Sequence, residues 1–263
     1  MKTAFVDVAG LRLRVGRHGE GPPLLLITGI GANLDMWGPL ERLLPGRELV
    51  AFDAPGVGDS QCSRLPRRMR DMARIVRELM DALALERPDV LGYSWGGALA
   101  QELARRSPER VRRLVLCATG PGLGGVPPKP LAAIVLATPA RYYHPRLLEF
   151  SVPYIAGGRT KRDRTVLAAH AGARLSHPPG PLGYAFQLYA AAGWTSLPWL
   201  HRLQLPTLVV AGDDDPAVPL LNARLLAARL PDATLHVVRG GGHLFLLDQP
   251  EDAAPEIAAF LDL

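Results

Sequence analysis

The 263-residue chain has little cysteine, only Cys62 and Cys117. Two thiols make neither a disulfide framework nor a metal cluster, so covalent staples are not what holds this chain together. Long hydrophobic runs are absent too: no stretch reaches the roughly 18 apolar residues that a membrane-spanning helix needs. Behind Lys2 the apolar run Ala4–Val6 is cut short by Asp7, and no signal-peptide core follows. These absences predict a soluble, cytoplasmic protein in a reducing setting. Acidic residues are scarce in one region. Between 120 and 203 only Glu149 and Asp163 face Lys129, Arg141, Arg146, Arg159, Lys161, Arg162, Arg164, Arg174 and Arg202, whereas the whole chain carries just +5. No nucleic-acid motif accompanies that basic excess, so no nucleic-acid partner is expected; a solvated face accounts for it. At 48% hydrophobic residues the chain has enough apolar surface for a substantial core.

Residues 4–8 and 11–15 alternate as two strands around Ala9-Gly10. The runs Leu24–Ile27, Leu49–Phe52, 90–92, Leu114–Cys117 and 206–211 are continuously apolar, the pattern of strands buried on both faces. Between them apolar residues recur at helical spacing, notably Met72, Ile75, Val76, Leu79, Met80 and Leu83 within 69–85. Further helices are expected over 36–44, 95–106, 220–229 and 252–262, and a strand over 234–238. Strand and helix in alternation with short connections predict a mostly parallel, twisted sheet with helices on both faces. The alternation stops after 119 and resumes at 204. The expected division is therefore a core of 1–119 and 204–263 carrying a mainly helical insertion, 120–203.

The most informative stretch is Gly92-Tyr93-Ser94-Trp95-Gly96, where an apolar strand turns at once into a helical pattern. A serine there sits on a sharp turn with its hydroxyl free of the sheet. Glycines on either side suit it, because a Cβ would strike neighbouring backbone. The helix start also aims its free N–H groups toward the serine. Serine needs a base, and the base needs an orienting acid. In an open parallel sheet such groups gather beyond the carboxyl ends of the strands. His243 meets that criterion, in the glycine-rich loop Gly240-Gly241-Gly242 after the strand 234–238. His236 lies inside that strand, His18 in an early turn, and His144, His170, His177 and His201 in the insertion. The acid is expected in Asp213-Asp214-Asp215, directly after the strand 206–211. Spacing alone does not choose among the three, and a solvated acidic turn accounts for two of them.

Ser, then Asp, then His is the chain order of the α/β-hydrolases. Four separated motifs resemble that family: Thr28-Gly29-Ile30-Gly31; Asp53-x-Pro55-Gly56-x-Gly58-x-Ser60; Gly92-Tyr93-Ser94-Trp95-Gly96-Gly97; and Gly212-x-x-Asp215-x-x-Val218-Pro219 with Gly242-His243. The resemblance implies Asp215 as the acid, with Asp214 second. It also implies an oxyanion hole of two backbone N–H groups, Trp95 after the nucleophile and Ile30 in the loop after Leu24–Ile27. Many relatives have His-Gly where this chain has Thr28-Gly29, a departure that bears on how the loop is braced. A nucleotide-binding reading of Gly29-x-Gly31 fails for want of a third glycine, since Leu34 stands there.

A closer resemblance covers nearly the whole chain. Gly29–Leu34, Ser94–Gln101, Gly193–Ser196, Trp199–His201, Ala211–Pro216 and Gly242–Leu246 look like the intracellular poly(3-hydroxyalkanoate) depolymerases. That implies hydrolysis of an aliphatic polyester or its oligomers without metal or organic cofactor. The insertion is then a lid carrying substrate specificity, and its basic excess suits the anionic surface of a polyester granule or the carboxylate product. The aromatic residues Tyr142, Tyr143, Phe186, Tyr189, Trp194 and Trp199 suit such a substrate or, equally, a lid core. Tyr93, Phe186, Trp194, Trp199 and Leu244 are the candidate substrate contacts. The other readings of the same scaffold are a small-molecule esterase, a lactonase, a cofactor-free perhydrolase, or a binding module without activity.

Overall fold

The computed structural model describes residues 1–263 apart from 164, 167, 169–171 and 173–174, so Arg164, His170 and Arg174 lie outside the described residues. Strands β1 (Lys2–Val8) and β2 (Leu11–His18) form the expected hairpin. Its two turn residues, Ala9 and Gly10, have φ of 51° and 73°, the sign that matches a tight turn to the twist of the strands. The parallel strands are β3 (Pro23–Ile27), β4 (Glu48–Phe52), β5 (Asp89–Tyr93), β6 (Leu114–Cys117), β7 (Thr207–Gly212) and β8 (Ala233–Val238). The sheet order is β1-β2-β4-β3-β5-β6-β7-β8, antiparallel at β1–β2 and β2–β4 and parallel throughout the rest. Only the edge hairpin departs from the parallel rule, because a two-residue turn can join only antiparallel strands.

Core helices are α1 (Gly38–Leu43), α2 (Met69–Ala82) and α3 (Trp95–Arg106). The segment between β6 and β7 contributes α4 (Pro130–Leu136), α5 (Pro145–Ala156), α6 (Gly158–Arg162) and α7 (Pro181–Ala191). The chain closes with α8 (Leu221–Arg229), α9 (Phe245–Asp248) and α10 (Pro250–Asp262). Period-two alternation explains the two-sided packing. Leu25, Ile27, Val50 and Phe52 join one core cluster with residues of α2 and α3. Their neighbours Leu24, Leu26, Leu49 and Ala51 join a second with residues of α1 and α10. No helix of the described residues is long and apolar enough to cross a membrane.

Some element bounds differ from the expectations. The helix expected over 69–85 stops at Ala82, because Ala84 turns left-handed (φ 55°) and Leu85 N–H closes on Met80 C=O at 2.9 Å. The helix expected over 36–44 starts with a tighter turn, Leu34–Trp37, whose Asn33 side chain accepts the Asp35 N–H. The short helix α9, which starts two residues after His243, is not expected from the sequence: four residues are too few to show a period.

Candidate active site

Ser94 occupies the junction of β5 and α3 with φ 56° and ψ −117°, a conformation that costs a non-glycine residue free energy. The surroundings fix it there. Ser94 N–H donates to Cys117 C=O on β6 (2.8 Å), and Thr119 Oγ1 donates to Ser94 C=O (2.8 Å). The flanking glycines let the turn close: a Cβ on Gly96 would lie 2.2 Å from Ile27 O, and one on Gly92 2.5 Å from Gly96 O. At the neighbouring strand end, burial pushes the Cys117 thiol up, so it stays protonated.

His243 Nε2 lies 3.0 Å from Ser94 Oγ, and His243 Nδ1 lies 2.7 Å from Asp215 Oδ2. Both His243 and Asp215 are buried, while Ser94 is partly accessible. The ring stacks obliquely on Tyr93, with centroids 5.4 Å apart, and Tyr93 Oη donates to the His243 carbonyl. The glycines before His243 let its loop press on the insertion: His243 N–H donates to Ala156 C=O at the end of α5. The neighbouring aspartates hold other parts of the chain. Asp213 Oδ1 accepts Gly240 N–H (2.7 Å) and Asp214 Oδ2 accepts Gly158 N–H at the start of α6 (3.0 Å). They are loop struts rather than an idle solvated turn.

The backbone N–H groups of Ile30 and Trp95 donate to no backbone acceptor among the described residues. Ile30 and Gly31 form the middle of a four-residue turn in which Ala32 N–H closes on Gly29 C=O (3.1 Å), with Gly31 at φ 68°.

A cavity of about 360 Å³ opens on Ser94 and His243. Its walls include Tyr93, Leu244, Met36, Leu136, Ile155 and Leu247, so they are largely apolar. Of the candidate contacts, Tyr93 and Leu244 line it; Phe186, Trp194 and Trp199 do not. Trp194 and Trp199 pack edge to face (6.3 Å) on the α3 side of the sheet. There Trp194 Nε1 donates to Glu102 Oε2 (3.0 Å) and Arg105 lies over the Trp199 ring (4.8 Å). Phe186 borders a separate small crevice with Pro55 and Met72. Leu136, Ile155 and Gln187 were missed from sequence. The signal for Gln187 was available, since it is the one polar side chain in the apolar stretch Leu182–Ala192 apart from two tyrosines. Among the described residues no group of three or more His, Cys, Asp or Glu side chains could hold a metal ion.

Known proteins resemble this chain throughout. The family model described as "alpha/beta hydrolase fold" matches residues 22–177 and 172–250. A protein named poly(3-hydroxyalkanoate) depolymerase from Ectopseudomonas oleovorans is 47% identical over 263 residues, covering 99% of this chain and 92% of that one. Among solved structures, a thermophilic esterase from Thermogutta terrifontis aligns with a TM-score of 0.83 at 25% identity, covering 100% of this chain and 98% of the other. An enol-lactonase from Burkholderia xenovorans LB400 aligns with a TM-score of 0.85 over 99% of this chain and 100% of the other; at 23% identity it speaks to the fold alone.

Proposed function

Since the chain belongs to the α/β-hydrolase fold family, we propose that it is a serine ester hydrolase whose acyl-transfer machinery is Ser94, His243 and Asp215. The observation that carries this reading is the continuous contact from Asp215 through His243 to Ser94 Oγ at the floor of an apolar cavity. As Ser94 Oγ bonds to the ester carbonyl carbon, its proton passes to His243 Nε2. The Asp215 carboxylate can only accept, so it keeps the ring proton on Nδ1 and stabilises the imidazolium. The carbonyl oxygen becomes an anion and takes hydrogen bonds from the Ile30 and Trp95 N–H groups. The C–O bond to the alcohol then breaks, and His243 returns its proton to the leaving oxygen. Water attacks the acyl-Ser94 ester with the same groups in the same roles, releasing the acid and free Ser94. No step needs a metal or an organic cofactor.

The proposed substrate is an aliphatic polyester of 3-hydroxy acids or its oligomers, on the strength of the 47% identity to a protein of that name. The apolar walls suit alkyl side chains. A cavity of this size holds a drug-sized segment, not a coil of polymer, so a chain end or a short oligomer is what enters. The same modest volume favours a second reading, a small-molecule esterase. Residues 120–203 act as a lid on a core of 1–119 and 204–263, and a cytoplasmic location follows from a granule substrate.

Granule contact would fall to exposed insertion residues. Phe150, Ile134 and Leu131 are 68%, 66% and 55% exposed, and Lys129, Arg146 and Lys161 are also exposed. Arg159 and Arg162 are otherwise engaged. Arg159 Nη1 donates to Asp248 C=O and Glu251 Oε1, both at 2.9 Å, and Arg162 Nη2 donates to Gly240 C=O at 3.0 Å. Reversing their charge would loosen the insertion as well as the surface, so Lys129, Arg146 and Lys161 are the cleaner positions to change. The function is tested by kcat/KM on amorphous polyester, oligomers, para-nitrophenyl esters and lactones, together with labelling by a serine-reactive phosphonate. An adduct on Ser94 with preference for oligomers is expected. An adduct elsewhere, or none, contradicts the mechanism; turnover of small esters or lactones alone contradicts the substrate.

A further inference from the structure

The loop that carries Ile30 is braced by the insertion as well as by its own turn. Tyr142 Oη donates to Ile30 C=O (2.8 Å), and Gly31 N–H donates to Gln187 Oε1 (2.8 Å). Both polar groups of the Ile30–Gly31 peptide are thus held by side chains from 112 and 156 residues away in sequence. The preceding peptide, which bears the Ile30 N–H, is held by the Ala32 to Gly29 bond alone. Turning that N–H away therefore breaks the Ala32 to Gly29 bond and strains the adjoining Ile30–Gly31 peptide, which the insertion holds through the other two. Gln187 reaches the other donor residue as well: its backbone C=O accepts Trp95 Nε1–H at 2.9 Å. One residue of the insertion thus touches both the Gly31 N–H, next to Ile30, and the Trp95 indole.

The energetics of Gln187 argue for a task other than stability. Its side chain is buried, and its Nε2 donates to no acceptor among the described residues. A buried amide with an unmade hydrogen bond costs free energy that an apolar residue of similar shape would not. What the amide supplies is an acceptor for Gly31 N–H. The ring of Tyr142 is located with similar care. Arg141 lies over it at 4.6 Å, Tyr184 packs at 6.2 Å between centroids, and Arg141 Nη2 donates to Tyr184 Oη (3.0 Å). Burial pushes the Tyr184 phenol up to about 12, so it stays protonated and donates to Leu136 C=O at 2.7 Å. Gly31 is required beneath these rings, since a Cβ there would lie 2.8 Å from both.

We propose that Tyr142 and Gln187 are positioning residues for the oxyanion site, so that Ile30 N–H is correctly set only while the insertion is docked on the core. The inference rests on the serine-hydrolase reading above. It explains how a loop with Thr28 in place of the common histidine keeps its donor fixed. Any substrate segment that lifts the insertion also loosens the anion site, which couples substrate fit to turnover.

Tyr142→Phe removes one hydroxyl and keeps the ring; Gln187→Met removes the acceptor and the unpaired donor together. Each is expected to lower kcat on a para-nitrophenyl ester by about tenfold, less than the 10²–10³ lost with an anion-site donor itself. KM should stay within about twofold, as expected when only a transition-state contact is weakened. The inhibition constant of a trifluoromethyl ketone, which forms a tetrahedral adduct on Ser94, should rise by the same factor as kcat falls. Gln187→Glu, which keeps an acceptor at the same place, should recover most of the loss. Thermal midpoints should stay within about 4 °C of wild type, the scale of a net change under 1 kcal/mol at this chain length. Unchanged kcat and inhibition in both Tyr142→Phe and Gln187→Met would overturn the inference and leave the hydrolase reading intact. So would a fall in kcat with no rise in the ketone's constant. A wild-type protein as inactive as Ser94→Ala on every ester would overturn both.

Discussion

Asp215 divides its two oxygens between two duties. Oδ2 faces His243 Nδ1 at 2.7 Å, while Oδ1 accepts the N–H groups of Ala217 and Val218, both at 2.8 Å. The turn after β7 thus fixes which oxygen the imidazole meets. Two donors saturate one side of the carboxylate, and the other is left for the ring.

That division predicts the outcome of a nearly isosteric change. In Asp215→Asn the amide oxygen stays with the two backbone donors, and the NH2 turns to His243. The ring must then accept at Nδ1 and carry its proton on Nε2, where it can no longer take the Ser94 proton. A fall in kcat of roughly 10³–10⁴-fold is expected, with little change in folding. Asp214→Asn, at the adjacent position but tied to Gly158, should leave kcat within about threefold, the effect of a surface contact worth under 1 kcal/mol. Steady-state kinetics on both variants decides between the adjacent carboxylates. A larger loss at 214 than at 215 would contradict this assignment.

A second prediction concerns substrate length. Leu136 lines the cavity wall from the end of α4. Leu136→Phe should depress kcat/KM for an octanoate ester relative to a butyrate ester by about tenfold, since one or two methylenes in an apolar pocket carry roughly 1–3 kcal/mol. Trp199→Phe, remote from that wall, should shift the thermal midpoint and leave this ratio alone. A changed ratio in the tryptophan variant would mean that substrate reaches the α3 side.

Asp53 gives a pH-dependent signature in stability. It is wholly buried at the end of β4, where Oδ1 accepts Leu34 N–H (2.6 Å) and Oδ2 meets Arg14 Nη1 (3.4 Å). Burial outweighs these partners and pushes the carboxyl up to about 6 from the ordinary 3.8. Between those values the folded chain holds a proton that the unfolded chain has released. The Asp53 contribution to stability is therefore greatest below about pH 4, declines by at most about 1.4 kcal/mol per pH unit up to pH 6, and is flat above. Urea unfolding of wild type and Asp53→Asn across pH 4–7 measures it: the difference between them should move against wild type as pH rises to 6. A difference that is constant, or moves the other way, would show that Arg14 dominates.

Much of this was legible because it is local. The serine turn needs only a strand, two glycines and a helix start, all within ten residues. The buried strands announce themselves as apolar runs, and their alternation with helices dictates a parallel sheet. Legibility ended where contacts join distant segments. Nothing in the periodicity of Gly193–His201 says that Trp194 and Trp199 turn toward Glu102 and Arg105 and away from Ser94. Spacing could not separate the three aspartates, because each finds a partner distant in sequence: Gly240, Gly158 and His243. The brace on Ile30 was equally hidden, since Tyr142 and Gln187 reach it from opposite ends of an 84-residue insertion, 120–203.

The central claim is that Ser94 opens an ester of 3-hydroxy acids. Its most direct test is release of 3-hydroxy acid from amorphous medium-chain polyhydroxyalkanoate by the wild-type protein and by Ser94→Ala. Release by wild type that falls to the uncatalysed background in the variant is the predicted result. Release that survives in Ser94→Ala, or wild-type turnover of small esters with none from the polymer or its oligomers, would contradict it.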